Sequence, residues 1–403
     1  MPDDHTVRCC VVGGGPAGMV LGVLLARGGV EVAVLEKHAD FLRDFRGDTV
    51  HPSTLDVLDD IGLGEAFASL PHSYVRTFVP PVAGVPPLRF DDLAVRHPYI
   101  AFVPQWDLLN LLAEEGRRLP SFHLLMEAEA TDLLRSDGRT AGVRYRSPRG
   151  PGSVRAALTV GADGRHSALR EAAGLELVAG SPPIDVLWFR LSRVAGDGDA
   201  VFIRMAPGRF AVFLNRGDFW QVAFVIPKDG AKALRAAGIE RLREQVGDLD
   251  ARFRDRASEL TGWDDVKLLT VRSDRLRRWW SPGLLLIGDA AHAMSPIGGV
   301  GINLAVQDAV ATANLLGPRL AGSEPIPDEA LDAVQRRREP PTRSTQDLQE
   351  LLQRQVLSPV LGSRPPRLLA LARIALRIGP LRRAIVRRVV VGYLPERVTW
   401  PGR

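Results

Sequence analysis

Three short stretches hold the residue types that could do chemistry. The first, "CCVVGGGPAGMV" from Cys9 to Val20, sets Gly13, Gly15 and Gly18 in a Gly-x-Gly-x-x-Gly spacing. An apolar strand pattern precedes it, a helix pattern follows, and Glu36 closes the next apolar run, "EVAVLE". Glycines at these positions allow a tight turn and close approach of a pyrophosphate. The helix N-terminus offers amides and the positive end of its dipole, and the acid can accept hydrogen bonds from an adenosine ribose. The second stretch, "GADGRHSALR" from Gly161 to Arg170, follows the strand pattern "ALTV". The third, "GLLLIGDAAHAMSPIGGVGIN" from Gly283 to Asn303, puts Gly288-Asp289 at another strand end. An acid there suits the ribityl hydroxyls of a flavin. Gly298, Gly299 and Gly301 let backbone approach a flat ring, and a helix starting near 301 would stabilise negative charge on that ring's edge. The plainer readings are a glycine turn chosen for helix–strand packing and an aspartate acting as a helix N-cap. Three such stretches in this order favour a bound dinucleotide.

The elements that must position these residues follow from periodicity. Residues 7–36 read as β-α-β, and 52–70 and 104–119 as helices. From His123 to Gly164 the pattern alternates as antiparallel strands do, with turns at Asp137-Gly138 and Arg149-Gly150. Strand patterns return from about 183 to 228, residues 231–260 look helical and charged, and a helix runs from about 301 to 320. The rest is helical and arginine-rich. The fold class is therefore α/β mixed with α+β: a Rossmann-like unit from both ends of the chain, an inserted mainly antiparallel sheet, and a C-terminal helical segment. The expected boundaries are 1–71, 101–180 and 281–330 for the cofactor domain, 72–100 and 181–280 for the sheet domain, and 331–403 for the helices.

With 403 residues, 45% apolar and 25% charged, the chain can bury a large core without staples. Four of its 52 basic residues are lysines, and the arginines are scattered among acids, which argues against a nucleic-acid partner despite the net charge of +5. Cys9 and Cys10 are adjacent in a strand and point to opposite faces, so no intrachain disulfide is expected. Together with an N-terminus lacking a signal-peptide core, this predicts a cytoplasmic protein. No residue set has the spacing of a metal site.

The three stretches together resemble the FAD-dependent aromatic hydroxylases of the para-hydroxybenzoate hydroxylase type, over roughly residues 7–320. The resemblance implies that Gly13, Gly15, Gly18 and Glu36 hold the ADP half of FAD. It places Arg46 ("FRGDTVHP") near the pyrophosphate and the nicotinamide's approach, Gln105 ("FVPQWDLLNLL") against FAD, and Asp163 ("GADG") in a motif linked to FAD and NAD(P)H. Asp289 meets the ribityl chain, Pro296 and Gly298 lie by the ring, and the backbone at Gly301, Ile302 and Asn303 meets its pyrimidine edge. Arg46 and Pro296 are then the flavin-proximal candidates for a catalytic role. Ser167, Arg170, His51, His97 and His292 read as structural. The implied reaction is hydroxylation of an aromatic, natural-product-like substrate: NADPH or NADH reduces FAD, O2 adds as a C4a-hydroperoxide, and the substrate takes the distal oxygen. The sheet's aromatics, Trp188, Phe189, Phe202, Phe210, Phe213, Phe219, Trp220 and Phe224, suit a flat substrate and equally an ordinary core.

Other activities on this scaffold are epoxidation, Baeyer–Villiger-type oxidation and reduction. A flavin-dependent halogenase would carry a Trp-x-Trp-x-Ile-Pro signature; here "VAFVIP" has Val222 and Phe224 in the tryptophan places, and no lysine lies between Lys37 and Lys228. A different class is a non-catalytic flavin-binding or membrane-surface protein, suggested by the basic, amphipathic segment Arg367 to Val398. Packing of that segment on the cofactor domain is the favoured reading. Oligomeric state is not encoded in any pattern found.

Overall fold

The computed structural model describes residues 3–42, 49–79, 85–180, 182–198, 201–322, 324–366 and 373–402. Its central sheet grows from the strand Asp3–Val12, whose run of Val7, Cys9, Cys10, Val11 and Val12 is buried on both faces, as a parallel central strand requires. Val32–Leu35 and Phe122–Leu125 pair in parallel on one side, and Gly150–Gly161 and Leu284–Leu286 in parallel on the other. The register brings Val12, Gly161 and Leu286 level, so the first turn and the two later glycine stretches all leave the same end of the sheet. Both cysteines are buried and unbonded.

Gly150–Gly161 has three partners: Asp3–Val12 along one edge, and Leu284–Leu286 and Arg139–Ser147 at the two ends of the other. Its first half pairs antiparallel with Arg139–Ser147, which pairs with Glu129–Ser136 through a turn at Asp137 (φ 50°) and Gly138 (φ 75°). Alternation therefore reads the hairpin correctly but misreads Phe122–Leu125, which joins the parallel sheet. The helices Pro16–Arg27, Gln105–Arg117 and Gly301–Ala321 cover this sheet and share one apolar core with it.

The inserted region is a five-stranded antiparallel sheet in the order Phe202–Ala206, Arg209–Asn215, Phe219–Pro227, Ile184–Ser192, Lys267–Leu269. Strands from 72–100 do not join it as a common floor. Ser73–Val75 pairs with Ile100–Phe102, which also takes Thr49–Val50; an isolated bridge, Val79 to Phe202, and the Ser73 hydroxyl, which donates to Asn215 O at 3.1 Å, link the two regions. The aromatics divide between the sheet's faces. Phe189, Phe202, Phe213, Trp220 and Phe224 pack under the helix Ile239–Leu249 as core, whereas Phe210 and Trp188 lie on the opposite face with Val186, Val225 and Ile297. The charged 231–260 stretch forms two helices, Ala231–Ala236 and Ile239–Leu249, followed by short 3-10 turns. Beyond Ala321 come Asp328–Leu352, which runs through Pro340 and Pro341, and Gly379–Val390, which begins at Pro380 as a first-turn residue.

Candidate functional site

The glycines of the first turn each have a separate physical reason. Gly13 sits at φ 108°, and a Cβ there would lie 2.3 Å from the Ala162 carbonyl oxygen. Gly18 lies against Gly13, its Cβ position 2.0 Å from the Gly13 oxygen. Gly15, in contrast, would place a Cβ within 4 Å of nothing among the described residues. It precedes the helix Pro16–Arg27, whose N-terminus has no side-chain cap. Two glycines therefore allow the chain to pack on itself, and the third leaves room for an external group on exposed helix amides. Glu36, 7% exposed, accepts the Gly14 N–H at 3.0 Å through Oε2, and its Oε1 lies 2.5 Å from His38 Nδ1.

The "GADG" and "GDAAH" stretches meet beside this turn. Ala162 N–H donates to Val12 O at 2.7 Å, and a Cβ on Gly288 would be 3.4 Å from that of Ala17. Asp163 Oδ2 accepts the Leu169 N–H at 3.3 Å, while its Oδ1 is buried without a partner among the described residues, and burial raises its carboxyl. Asp289 is partly exposed. The surrounding protein raises its carboxyl by desolvation, and the Arg165 guanidinium 3.8 Å away opposes that shift. Arg170 closes the junction: one guanidinium nitrogen donates to Ala290 O at 3.0 Å and another to Arg165 O at 2.9 Å. Ser167 caps the short helix after the loop through the Arg170 N–H.

The third stretch turns through Gly298 (φ 81°) and Gly299 (φ 63°) into the helix Gly301–Ala321, again without a side-chain cap. A Cβ at Gly301 would meet nothing within 4 Å among the described residues. Thr49 Oγ1 donates to Gly299 O at 2.6 Å. Asn303 Oδ1 accepts from Thr54 Oγ1 at 2.7 Å and lies 2.9 Å from Ser53 Oγ, which fixes the first turn of the helix on the helix Pro52–Asp60. Ile302 is buried, Pro296 is half-buried, and the neighbouring Ile297 packs toward the face of the inserted sheet that carries Phe210 and Trp188. Gln105 begins the helix Gln105–Arg117, which packs on Pro16–Arg27. Arg46 lies outside the described residues.

The fold thus gathers Gly13, Gly15, Gly18, Glu36, Asp163 and Asp289 around the sheet end, with Pro296 and Gly298 on the loop beyond and Gly301, Ile302 and Asn303 in the first turn of the helix it leads into. Two uncapped helix N-termini with open glycines fit the two halves of FAD: one for the pyrophosphate and one for the ring edge. His51 donates from Nδ1 to Val390 O at 2.9 Å, and burial lowers its basicity. His97 pairs with Asp59 at 2.6 Å, within a cluster that also holds Asp56, Arg96 and Arg397. His292 Nε2 lies 2.5 Å from Asp308.

Several positioning residues have no motif. Asp308, fully buried on the long helix, accepts the Gly288 N–H at 3.0 Å and the Arg338 Nε at 2.9 Å as well as contacting His292. A lone acid in the apolar run Ile302–Leu316 is the sequence signal for it. Arg338 has none, since it is one of three consecutive arginines.

Comparison with known proteins agrees with this geometry. A family model described as an FAD binding domain matches residues 6–348. The chain is 33% identical over 407 residues to the 6-methylpretetramide 4-monooxygenase of Streptomyces rimosus, spanning 98% of this chain and 95% of that protein. It is 32% identical to the 12-dehydrotetracycline 5-monooxygenase/anhydrotetracycline 6-monooxygenase of the same species, over 82% of this chain and 66% of the relative. The solved structure of OxyS anhydrotetracycline hydroxylase from Streptomyces rimosus superposes with a TM-score of 0.75 at 25% identity, covering 96% of this chain and 76% of that one. The p-nitrophenol 4-monooxygenase PnpA from Pseudomonas putida DLL-E4 shares the fold, with a TM-score of 0.78 at 21% identity over 96% of this chain and 99% of that one.

Proposed function

Because the chain belongs to the FAD-binding-domain family of flavin-dependent monooxygenases, we propose that it hydroxylates a flat, polycyclic aromatic polyketide, with FAD bound non-covalently and NADH or NADPH as reductant. The relatives named for 6-methylpretetramide and anhydrotetracycline support that substrate class. The observation that carries the reading is the apolar face of the inserted sheet. Val186, Trp188, Phe210 and Val225 lie on the side that Ile297 of the ring loop packs against, and Leu357, Val360 and Leu361 cover the rest of that face. This apolar packing backs the ring loop and excludes water from behind the reacting region.

In this reading residues 1–71, 101–180 and 281–330 form the cofactor unit, 72–100 and 181–280 the substrate unit, and 331–403 the closing helices. The Gly15 turn and Glu36 hold the ADP half, with Gln105 and Asp163 beside it, and Asp289 takes the ribityl chain. The N-terminus of Gly301–Ala321 presents amides and the positive end of its dipole to the ring edge. Bound FAD would supply hydride acceptance and activation of O2. Arg46 is assigned to the nicotinamide's approach by the resemblance alone.

The protein should purify yellow. A fitting phenol should accelerate NAD(P)H oxidation, and one atom of 18O2 should appear in the product. Label arriving from water instead overturns the monooxygenase reading. Arg46→Ala should slow flavin reduction, followed by stopped-flow absorbance, while most FAD stays bound through the amides of the first turn. Unchanged reduction in that variant removes Arg46 from the scheme.

A further inference from the structure

The last helix is apolar on two faces. Val386 and Val390 of Gly379–Val390 are buried with Leu88, Phe90 and Leu93, which docks the helix on the protein. The second set is uncovered. Leu381, Ile385 and Val389 recur every four residues, so they share one face, and they are 43%, 38% and 37% exposed. Just upstream, Ile374 and Ile378 are also four apart and 61% and 51% exposed. Exposed aliphatics scattered singly are ordinary, but five concentrated within two adjoining helical stretches mark a contact surface.

Charge indicates what the surface meets. Residues 373–395 contain six arginines and no acid. Arg382 reaches Asp92 only at 3.9 Å, and Arg388 contacts the Ser344 hydroxyl and the Tyr393 ring. Arg373, Arg383 and Arg387 are exposed and have no acidic partner among the described residues.

We propose that this face docks the enzyme on the surface of an anionic lipid bilayer. The aliphatic stripe would enter the headgroup–acyl boundary while the flanking arginines reach lipid phosphates. No helix among the described residues is long and apolar enough to cross a membrane, so the contact lies in the interface. A second copy of the chain is the poorer occupant, because it would bring two acid-free arginine segments together. A protein partner is also less well matched: the stripe has no aromatic anchor of the kind that dominates protein interfaces. The sequence reading expects this segment to pack on the cofactor domain; its buried face instead meets Leu88, Phe90 and Leu93 of the 72–100 region, and the Val390 and Val391 carbonyls reach His51 and Ser53. Val389 and Tyr393 also line a cavity that touches Gly298 and Val300 of the ring loop.

The test is co-sedimentation of the full-length holoenzyme with vesicles of phosphatidylcholine alone or with phosphatidylglycerol added. Binding should require phosphatidylglycerol and weaken as salt is raised. Arg383→Gln with Arg387→Gln should lower the partition coefficient about 25-fold, roughly fivefold for each arginine. Ile385→Ser should lower it about tenfold. FAD content and thermal midpoint should match wild type in both variants, since all three side chains are exposed. The proposal is overturned by absence of sedimentation, by equal binding to neutral vesicles, or by binding indifferent to these substitutions. It is equally overturned if, without lipid, the chain is a dimer that Ile385→Ser dissociates.

Discussion

Asp308 shows how much one carboxylate can hold together. Burial raises its carboxyl, but His292 and Arg338 outweigh that and leave it below the ordinary range. A lowered folded value means that its stabilising contribution is complete above the unfolded pKa, about 3.9, and is lost as pH falls through the folded value. Asp308→Asn should therefore cost about 3 kcal/mol at neutral pH, because the buried Arg338 guanidinium would keep only Glu396, 3.5 Å away, as its anion. The gap from wild type should narrow below about pH 4. Urea titrations at both pH values measure this; an equal penalty at each would mean that shape rather than charge matters at this position. Glu36→Gln makes a separate prediction. Losing the charged acceptor beside Gly14 should weaken FAD binding by about 1.5–3 kcal/mol, read by flavin fluorescence titration. The two acids differ in how visible they are in sequence. Glu36 stands at a fixed offset from its glycines, so local spacing identifies it. Arg338, the partner of Asp308, adjoins Arg336 and Arg337, and only the fold assigns Arg336 to Asp332, Arg337 to Glu396 and Arg338 to the interior.

Among elements, the N-termini of Pro16–Arg27 and Gly301–Ala321 separate folding from binding. Gly301→Val adds a side chain where nothing stands within 4 Å among the described residues, so the apoprotein's stability should change by less than about 1 kcal/mol. FAD affinity or reduction potential should nevertheless suffer. Gly13→Ala should act in the opposite order: a Cβ at φ 108°, 2.3 Å from the Ala162 oxygen, should destabilise the fold itself by about 2–4 kcal/mol. Denaturation of the apoproteins beside FAD titration distinguishes the pair, and identical behaviour would remove Gly301 from the ring site. The glycine-rich turns and the long helix follow from local pattern, which is why the sequence locates them. The faces of the inserted sheet do not. Trp220 and Phe210 carry the same apolar signal along their strands, yet one lies under Ile239–Leu249 and the other toward Ile297, a choice made by the packing of distant elements.

At the scale of the molecule, the C-terminal residues run back across the first ones. Val390 O accepts from His51, the Val391 carbonyl from Ser53, and Glu396 pairs with Arg337. Trp400 fills a slot between helices: a Cβ on either Gly28 or Gly317 would fall 2.1 Å from its ring. Trp400→Ala should lower stability by about 2–4 kcal/mol, and saturating FAD should restore part of it, about 2.7 kcal/mol at a hundred times Kd. Thermal melts with and without FAD test this; a Trp400→Ala midpoint equal to wild type without FAD would mean that the tail does not stabilise the fold. None of this path shows in the sequence, since "VTWPGR" has no periodicity and its partners lie at the other end of the chain.

The same sheet order governs how the protein can be made. Val12 emerges from the ribosome about 270 residues before Leu286, the strand that completes its end of the sheet. At roughly 5–20 residues per second that end of the sheet stays incomplete for between ten seconds and a minute. Cofactor capture is thus a late event in synthesis, and expression yield should depend on whatever shields Gly150–Gly161 until the third glycine stretch arrives.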